Sequence, residues 1–518
     1  MDIENKEIKY KRIICTEASD KLLNECADLF TAHYGEWAPG TNKEGQRISR
    51  RGKDLRNYLP GEKSWIATAR INGQLIGYGL AAVSPQQSGL VNWVTQLVVH
   101  SDYQNDLVGS TILRSIWGFS NHFAWGIASA NPFAVRALEK ATKRHYSHGY
   151  MKRSLPTVKK VLSEVSYLKD CDIELSRERC VINTSFKQDL SQLPQRLYDA
   201  NAKRLWKLGN IKLGEEWLAV TFRDQRQERW TDKELEAFLR LSDDIAIEAY
   251  DRMAQADPQK AHSWASPERA ESETSYLLNI FKLSSGQKVL DLGCGSGRHS
   301  IAMAKKGITA HGIDYSDVFL ELAKKFAKSE GVNELATFSK ADIRTLKLGE
   351  QYDAVICLYD VFGSSPENQS NDKIIETAID HLRPGGWVAL SAMSYEYTRG
   401  VAKYFLQKQN LDEAINKLPA SDTMQKSGDV FHPDYMLVDE KEQVVYRKEE
   451  FGLGDAMPAE LIVRDRRYTI EELKGLCKRF GLTIYSCGYI RAGNFSLVDK
   501  PSGNPTKEIL LIAQKGVA

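Results

Sequence analysis

Residues 288–297 read Lys-Val-Leu-Asp-Leu-Gly-Cys-Gly-Ser-Gly, and residues 298–302, Arg-His-Ser-Ile-Ala, follow at once. The apolar run that ends in an acid predicts a β-strand, the three glycines predict a tight loop, and the next residues have a helical pattern. Glycines at alternate positions let the loop backbone approach a ligand closely, and the helix start offers N–H groups to its polar part. The stretch therefore predicts a nucleotide-binding strand, loop and helix.

The glycine spacing indicates which class of nucleotide is bound. A dinucleotide-binding fingerprint, Gly-x-Gly-x-x-Gly, would need a glycine where Arg298 stands. The observed order, Asp-x-Gly-x-Gly-x-Gly, resembles instead the first motif of the class I S-adenosylmethionine (SAM) methyltransferases. The resemblance implies that the loop faces the methionine end of SAM. The cofactor-binding residues that it implies here are Asp291, Gly293, Cys294, Gly295 and Gly297.

Further motifs of this family follow in the expected order. Residues 308–314 predict a strand that ends in Asp314, and a carboxylate at this point of a nucleotide-binding α/β fold accepts hydrogen bonds from both ribose hydroxyls. Residues 336–343 predict the next strand, and the resemblance implies that Asp342 meets the adenine amino group. On the same resemblance, the cofactor site also includes Tyr315, Ala341 and Ile343.

Residues 352–360 predict the fourth strand of this half and the start of the methyl-acceptor site. The resemblance implies that Leu358 contacts the cofactor and that Tyr359 and Asp360 are catalytic, with Asp360 orienting or deprotonating the acceptor. A solvent-facing cap is the alternative role for Asp360. The segment lacks the Asn/Asp-Pro-Pro-Tyr tetrad that binds a planar amide or an adenine amino group, so those acceptors are disfavoured. The turn at residues 382–390 into the fifth strand completes the motifs.

Length, charge and cysteine content limit the number of domains, the kinds of partner and the cellular compartment that we expect. With 518 residues the chain has room for about three or four domains. The net charge of +2 neither demands nor excludes a nucleic-acid partner. No apolar run is long enough for a bilayer and the N-terminus lacks the core of a signal peptide, so we expect a cytoplasmic protein without a membrane partner. The eight cysteines form no Cys-x-x-Cys pair, so neither disulfides nor a metal site is expected.

The N-terminal part predicts a mixture of strands and helices. Residues 10–15 suit a strand and residues 19–34 a helix, while residues 64–80 predict a hairpin around Asn72-Gly73, which favours a left-handed turn. The basic stretch at residues 43–56 is expected to be a solvated loop or helix face, with an anion-binding site as the alternative.

A strand at residues 91–99 then leads through a polar loop into a helix that reaches Trp117. This order resembles the Gcn5-related N-acetyltransferase (GNAT) superfamily, whose members use acetyl-CoA. In that family the strand presents backbone groups to the pantetheine arm of the cofactor. The resemblance assigns this role to Leu97 and Val99.

The GNAT resemblance continues in the loop before that helix. In the family, a loop of pattern Arg/Gln-x-x-Gly-x-Gly/Ala wraps the pyrophosphate of acetyl-CoA. Leu107 replaces its first glycine, and Leu138 stands where many relatives carry the tyrosine that protonates the CoA thiolate. Another proton donor, such as Tyr146, and a loss of acetyl transfer are the two open alternatives. The cofactor-binding residues implied here are Gln104, Gly109, Ser110 and Asn131.

The segment between the two halves also contains regular structure. Residues 179–186 and 216–222 predict strands with a helix at residues 194–208 between them, and we expect these strands to complete the N-terminal sheet rather than to form a second copy of it. Residues 224–229 suit a linker, and residues 232–253 suit a helix at the start of the methyltransferase half.

Residues 393–468 form an insert after the fifth strand. Residues 435–438 and 444–451 predict a hairpin and residues 460–468 a third strand, which together resemble the antiparallel lid of small-molecule methyltransferases. A capping box follows at Thr469 and Glu472. Further candidate ligand contacts, each with a structural role as the alternative, are Trp264, Arg269, Arg466, Arg467 and Tyr468.

The chain is thus expected to be an α/β protein with a mixed α/β GNAT-like domain at residues 1–160, completing strands and a linker at 161–229, and a class I SAM methyltransferase at 230–518. The last domain is expected to have a Rossmann-like seven-stranded sheet and the lid insert at 393–468. We expect methylation of an oxygen or nitrogen nucleophile, most simply of a small molecule, without a metal, and acylation of the same substrate by the N-terminal domain. The alternatives are a non-catalytic N-terminal docking domain and modification of RNA, DNA or protein.

Overall fold

The computed structural model divides into two compact units. The N-terminal unit comprises residues 1–246 and 450–461, and the C-terminal unit comprises residues 247–449 and 462–518. The first boundary therefore falls later than the predicted linker at residues 224–229. The structure describes residues 8–58, 64–104, 106–118, 120, 122–258, 267–407, 410–421, 432–451 and 459–517.

One mixed sheet organises the N-terminal unit. Its strands are β1 Lys9–Ile14, β2 Ser64–Ile71, β3 Gln74–Gln86, β4 Gly89–Val99, β5 Ala124–Ser129, β6 Asp172–Leu175, β7 Cys180–Phe186 and β8 Gly214–Phe222. They lie in the order β1-β2-β3-β4-β5-β8-β7-β6, and each neighbouring pair is antiparallel except β4 and β5, which are parallel. The strands predicted at residues 179–186 and 216–222 therefore extend the same sheet.

Seven helices belong wholly or partly to the described residues of this unit. They are α1 Asp20–His33, α2 Gly52–Leu55, α3 Val108–Trp117, α4 Pro132–Thr142, α5 His148–Glu164, α6 Leu193–Lys203 and α7 Asp232–Ala256. Asn72 and Gly73 close the β2–β3 hairpin with φ values of 50° and 83°, the left-handed pair that such a turn needs. Helix α6 ends at Lys203, before the predicted end at residue 208, and α7 contains the boundary between the units.

The C-terminal unit is built on a second mixed sheet. The remaining strands of the chain are β9 Lys288–Leu292, β10 Thr309–Asp314, β11 Ala336–Lys340, β12 Tyr352–Cys357, β13 Leu382–Met393, β14 Tyr404–Phe405, β15 Met436–Asp439, β16 Val444–Phe451, β17 Ala459–Arg466, β18 Leu482–Ile490, β19 Leu497–Val498 and β20 Glu508–Lys515. The sheet order is β11-β10-β9-β12-β13-β20-β18-β19. Strand β20 is antiparallel to both neighbours, as predicted. The sheet has eight strands rather than the predicted seven, because the short β19 pairs with the end of β18.

The helices of this part are α8 Pro267–Phe281, α9 Arg298–Ala304, α10 Asp317–Ser329, α11 Asn368–Asp380, α12 Tyr395–Val401, α13 Leu411–Lys417 and α14 Ile470–Arg479. The predicted capping box is present at the start of α14, where Thr469 and Glu472 bond to each other's backbone N–H groups. Within the described ranges, no helix is both long and apolar enough to cross a bilayer.

The insert forms a separate sheet, in the order β14-β15-β16-β17. Strands β15 and β16 make the predicted antiparallel hairpin, whereas β14 and β15 are parallel. The expectation of a purely antiparallel insert was therefore wrong. The reason is that helix α13 lies between β14 and β15 along the chain, and a helical crossover returns the chain in the same direction.

Candidate functional site

The glycine loop joins β9 to α9 at the carboxyl edge of the parallel strands. Gly293, Gly295 and Gly297 have φ values of 75°, 53° and 77°, a left-handed region that favours glycine. A side chain at Gly293 would collide with Val361 and one at Gly297 with Phe338, whereas a Cβ atom at Gly295 would meet no atom within 4 Å. Packing therefore requires the outer two glycines, and the middle glycine borders open space.

Asp314 lies beside this open part of the loop, at the end of β10. Its carboxylate accepts hydrogen bonds from the backbone N–H groups of Gly295 at 2.9 Å and Ser316 at 3.0 Å. The loop is held to the same strand because the Cys294 N–H donates to the Ile313 carbonyl at 3.0 Å. Burial raises the pKa of Asp314, while the backbone donors act in the opposite direction. The structure thus places Asp314, which is predicted to bind the ribose, beside the predicted glycine loop.

Asp291 and Cys294 support the loop from inside the protein. Asp291 is buried and accepts a hydrogen bond from the Ser300 hydroxyl at 2.7 Å, and burial raises its pKa to about 6. The Cys294 side chain occupies the space that a Cβ atom at Gly312 would enter, and burial raises the pKa of its thiol. Both side chains therefore fix the shape of the loop.

The predicted adenine side of the site follows β11. The Ala341 N–H donates to the Asp314 carbonyl at 3.1 Å, which ties this segment, with the adjoining Ile343, to the end of β10. Asp342 accepts hydrogen bonds from Nε of Arg344 at 2.9 Å and from Nη2 at 2.7 Å, and this contact lowers its pKa. Tyr315 is about half exposed, at 49%. A paired carboxylate keeps further lone pairs for a ligand amino group.

Leu358, Tyr359 and Asp360 follow β12. Leu358 is buried, whereas Asp360 is exposed. Tyr359 and Asp360 both have left-handed backbones, with φ values of 55° and 42°. The Tyr359 N–H donates to the Ser391 hydroxyl oxygen at 2.6 Å, and the Tyr359 hydroxyl donates to Glu273. The phenol is therefore engaged within the protein, and Asp360 is the side chain of this turn that faces solvent.

Glu273, on α8, is the buried acceptor of several hydrogen bonds, and no pattern in the sequence indicated this role. Besides Tyr359, it accepts hydrogen bonds from Nε2 of His299 at 2.8 Å and from the Gly493 N–H at 2.7 Å. Burial opposes its ionisation, yet these donors and the nearby Arg298 hold the pKa of Glu273 below its usual value. Burial lowers the pKa of His299 to about 4, so the imidazole is neutral at pH 7.

Arg298 was also missed as a site residue, although it begins the helix after the glycine loop. Its guanidinium lies 4.3 Å from the ring centroid of Tyr359, and Nη1 is 3.7 Å from the Glu273 carboxylate. The buried Nη1 has no hydrogen-bond partner among the described residues. The only sequence signal was an arginine directly after the third glycine, which offers a positive charge to an anionic ligand group.

In the N-terminal unit, the parallel strands β4 and β5 separate toward their carboxyl ends. Their last paired residues are Val94 and Ile127, although β4 continues to Val99. The predicted Leu97 and Val99 thus lie beyond the last pair. This geometry leaves one side of β4 without a neighbouring strand at that point.

In the loop before α3, Leu107 stands where the GNAT pattern has its first glycine. Leu107 has φ 63°, the left-handed region that glycine would adopt easily. The Gln104 amide donates to the Val99 carbonyl at 3.0 Å, and the Ser110 hydroxyl donates to the Leu107 carbonyl at 2.9 Å. Gly109 lies in the first turn of α3, whose N–H groups have no partner within the helix.

The remaining GNAT-type positions lie in or close to α4. The Asn131 side chain caps α4 by accepting a hydrogen bond from the Phe133 N–H at 3.0 Å. Leu138 is fully buried in the main apolar core of the unit. Tyr146, the alternative proton donor, is also buried, and burial raises its pKa.

The candidate contacts near α14 have protein partners. Nη2 of Arg466 lies 2.7 Å from Glu472, and Nη2 of Arg467 lies 3.2 Å from Asp465. The ring of Tyr468 lies 4.8 Å from that of Phe362. These contacts support the structural alternative for the three residues.

Two further predictions concern the helix before the glycine loop and the basic stretch. Trp264 lies outside the described residues, whereas Arg269 lies on α8 beside Gly493. In the basic stretch, Arg51 forms a 2.9 Å ion pair with Asp54, which favours the solvated-face interpretation.

Comparison with known proteins places a methyltransferase domain in the same region. A family model described as a methyltransferase domain matches residues 289–386, which extend from β9 into β13. The chain is 30% identical over 161 residues to a ubiquinone biosynthesis O-methyltransferase of Shewanella sp. (strain ANA-3), covering 29% of this chain and 63% of that protein. It is 27% identical over 159 residues to glycine N-methyltransferase of Rattus norvegicus, covering 27% of this chain and 54% of that protein.

The chain thus spans less than two thirds of the length of these two relatives. It is also similar to the crystal structure of an S-adenosylmethionine-dependent methyltransferase from Clostridium acetobutylicum ATCC 824, with 16% identity and a TM-score of 0.35, over 52% of this chain and 98% of that one. The C-terminal half of the chain contains a methyltransferase domain.

Proposed function

We propose that this protein, a SAM-dependent methyltransferase in its C-terminal half, transfers the SAM methyl group to an oxygen or nitrogen nucleophile of a small molecule. The observation that carries the proposal is the pairing of the Gly295 N–H with the Asp314 carboxylate beside a loop position that borders open space. This arrangement fits a nucleoside with a bulky polar tail, because backbone lies under the tail and a carboxylate lies at the sugar.

The described residues give each part of SAM a chemical partner. Asp314 would accept hydrogen bonds from the ribose hydroxyls and Asp342 from the adenine amino group. Nη1 of Arg298, which has no hydrogen-bond partner among the described residues, would bind the methionine carboxylate. When bound, SAM supplies a methyl group on a sulfonium leaving group. Asp360, exposed at the end of β12, would orient the acceptor and take its proton. Alignment of the two reactants supplies most of the rate enhancement.

The proposed acceptor is a small molecule with an O–H or N–H group. Two relatives support this class, since their names describe an O-methyltransferase of ubiquinone biosynthesis and a glycine N-methyltransferase. The insert with strands β14–β17 is proposed to be a lid that selects the acceptor, and the C-terminal sheet is proposed to be Rossmann-like. Modification of RNA, DNA or protein is the alternative.

We further propose that the N-terminal unit is GNAT-like and binds acetyl-CoA between the separating ends of β4 and β5. The left-handed Leu107 and the first turn of α3 support the pyrophosphate site. The burial of Leu138 favours a unit that binds the cofactor without the family's usual proton donor. Binding or docking without acetyl transfer is therefore the alternative to a bifunctional enzyme that acylates and methylates one substrate.

Methyl transfer is tested by incubating the full chain with methyl-labelled SAM and cell extract, followed by separation of small molecules from macromolecules. Label in a small-molecule fraction supports the proposal, and label confined to RNA, DNA or protein overturns the acceptor class. The Asp314→Ala variant, whose affinity for SAM should be lower, should transfer less label at a limiting SAM concentration if this site carries out the reaction.

A further inference from the structure

Glu508 is a buried carboxylate that the proposed reaction does not yet use. It is the first residue of β20 and lies opposite Met393, the last residue of β13, because the two strands are antiparallel. It therefore lies at the carboxyl edge of the parallel strands, the edge that also carries the glycine loop. Glu508 is 3% exposed, and its Oε2 has no hydrogen-bond partner among the described residues.

Ser391 lies between Glu508 and the turn after β12. Its hydroxyl accepts a hydrogen bond from the Tyr359 N–H at 2.6 Å, and its side chain lowers the pKa of Glu508. Tyr359 and Asp360 have left-handed backbones, so the hydrogen bond to Ser391 fixes a turn that carries conformational strain. Glu508 thus lies behind the side chain that is proposed to meet the acceptor.

The charges that face Glu508 come from several elements. Asp360 and Glu273 oppose its ionisation, Lys507 favours it, and Arg467 and Tyr359 also interact with it electrostatically. Burial, followed by repulsion from Asp360, raises the pKa of Glu508 to about 7. Its negative charge is therefore gained or lost near neutral pH.

We propose that Glu508 is a positioning residue of the methyl-transfer site, a buried negative charge behind the Tyr359–Asp360 turn that favours the sulfonium of SAM over the neutral thioether product. This inference rests on the proposed function. SAM and S-adenosylhomocysteine differ by one methyl group and one positive charge. Ionised Glu508 attracts that charge, and protonated Glu508 does not.

The test is calorimetric titration of the full chain with SAM and with S-adenosylhomocysteine between pH 5.5 and 8.5. In the wild type, the preference for SAM should rise about fivefold as the pH passes through 7. The Glu508→Gln variant should show a flat preference, because its amide keeps the shape but carries no charge. Glu376→Gln, which changes an exposed glutamate on α11, should behave as the wild type does.

A flat wild-type preference, or an unchanged rise in Glu508→Gln, would overturn the role of Glu508. If the wild type binds neither nucleoside, the proposed function itself fails, which is a different result from binding with a constant ratio. Should Glu508→Gln not fold, Ser391→Ala decides the question. Ser391 lowers the pKa of Glu508, so its removal should move the midpoint of the rise to higher pH. An unmoved midpoint would again overturn the role.

Discussion

The backbone N–H of Gly295 donates to Oδ2 of Asp314 at 2.9 Å, which joins the glycine loop to the end of the neighbouring strand. Replacing Asp314 with alanine should weaken SAM binding by roughly 1–3 kcal/mol, because a ribose partner is lost and a loop N–H is left unpaired. Calorimetry on the full chain measures this change. Asp317→Ala removes an exposed carboxylate three residues later and should leave the affinity unaltered. Equal affinities for the two variants would refute the ribose role.

Gly295→Ala tests whether the open side of the loop is the ligand side. Gly295 and Gly331 both have positive φ, and a Cβ atom at either position meets no protein atom within 4 Å. Each substitution should therefore cost about 1–2 kcal/mol of stability through backbone strain. SAM affinity should fall at least about tenfold in Gly295→Ala only, because its methyl group enters the cofactor site. A similar affinity in both variants would contradict this placement of SAM.

Tyr359→Phe separates a structural phenol from a catalytic one. Its hydroxyl donates to Glu273, which also accepts from His299 and Gly493. Loss of one such bond should lower the free energy of unfolding by about 1–2 kcal/mol in a urea titration. With an identified acceptor, kcat of Tyr359→Phe should fall less than about tenfold. Loss of a catalytic proton transfer would instead lower kcat by about a hundredfold or more. A loss of that larger size would establish a chemical role for the hydroxyl.

The stability of the C-terminal unit should depend on Glu508 and on pH. Burial raises the pKa of Glu508 from 4.5 to about 7, so the folded state binds more protons than the unfolded state between these values. Wild-type stability should therefore decrease as the pH rises from 4.5 to 7, and the penalty should persist above 7. Relative to wild type, Glu508→Gln should gain about 1–3 kcal/mol at pH 8 and little at pH 4.5. Denaturant unfolding at the two pH values checks the sign.

Leu107→Gly tests the pyrophosphate loop of the N-terminal unit. Leu107 already has φ 63°, so glycine should keep the loop conformation and relieve its strain. Acetyl-CoA should bind the full Leu107→Gly chain more tightly than it binds the wild type. Leu107→Ala, which keeps a Cβ atom, should bind less tightly than Leu107→Gly. If the wild type and both variants fail to bind acetyl-CoA, a docking role remains for this unit.

The sequence predicted the parts of the structure that local patterns determine. The glycine loop, the acid at Asp314 and the Thr469–Glu472 capping box each depend on residues a few positions apart, and each has the predicted local form. The cluster around Glu273 was not predictable in this way. Its partners His299 and Gly493 are distant along the chain, and a glutamate on an amphipathic helix gives no sign that it is buried.

In the N-terminal unit, a residue that departs from the family pattern does not by itself show whether the local structure differs. Leu107 departs from the expected glycine, yet its backbone keeps the left-handed conformation. Leu138, in contrast, occupies a fully buried position, where a tyrosine would overfill a packed core. In the insert, the two-residue β14 is too short to carry a period-two pattern, so its parallel pairing with β15 was missed.

The most direct test of the central claim is calorimetric titration of the full chain with SAM and, separately, with NADH. The geometry of Gly295 and Asp314 predicts one SAM site that the Asp314→Ala variant weakens, and no NADH binding at that site. Binding of NADH in place of SAM, or SAM binding that Asp314→Ala leaves unchanged, would contradict the assignment of this edge of the sheet to a sulfonium nucleoside.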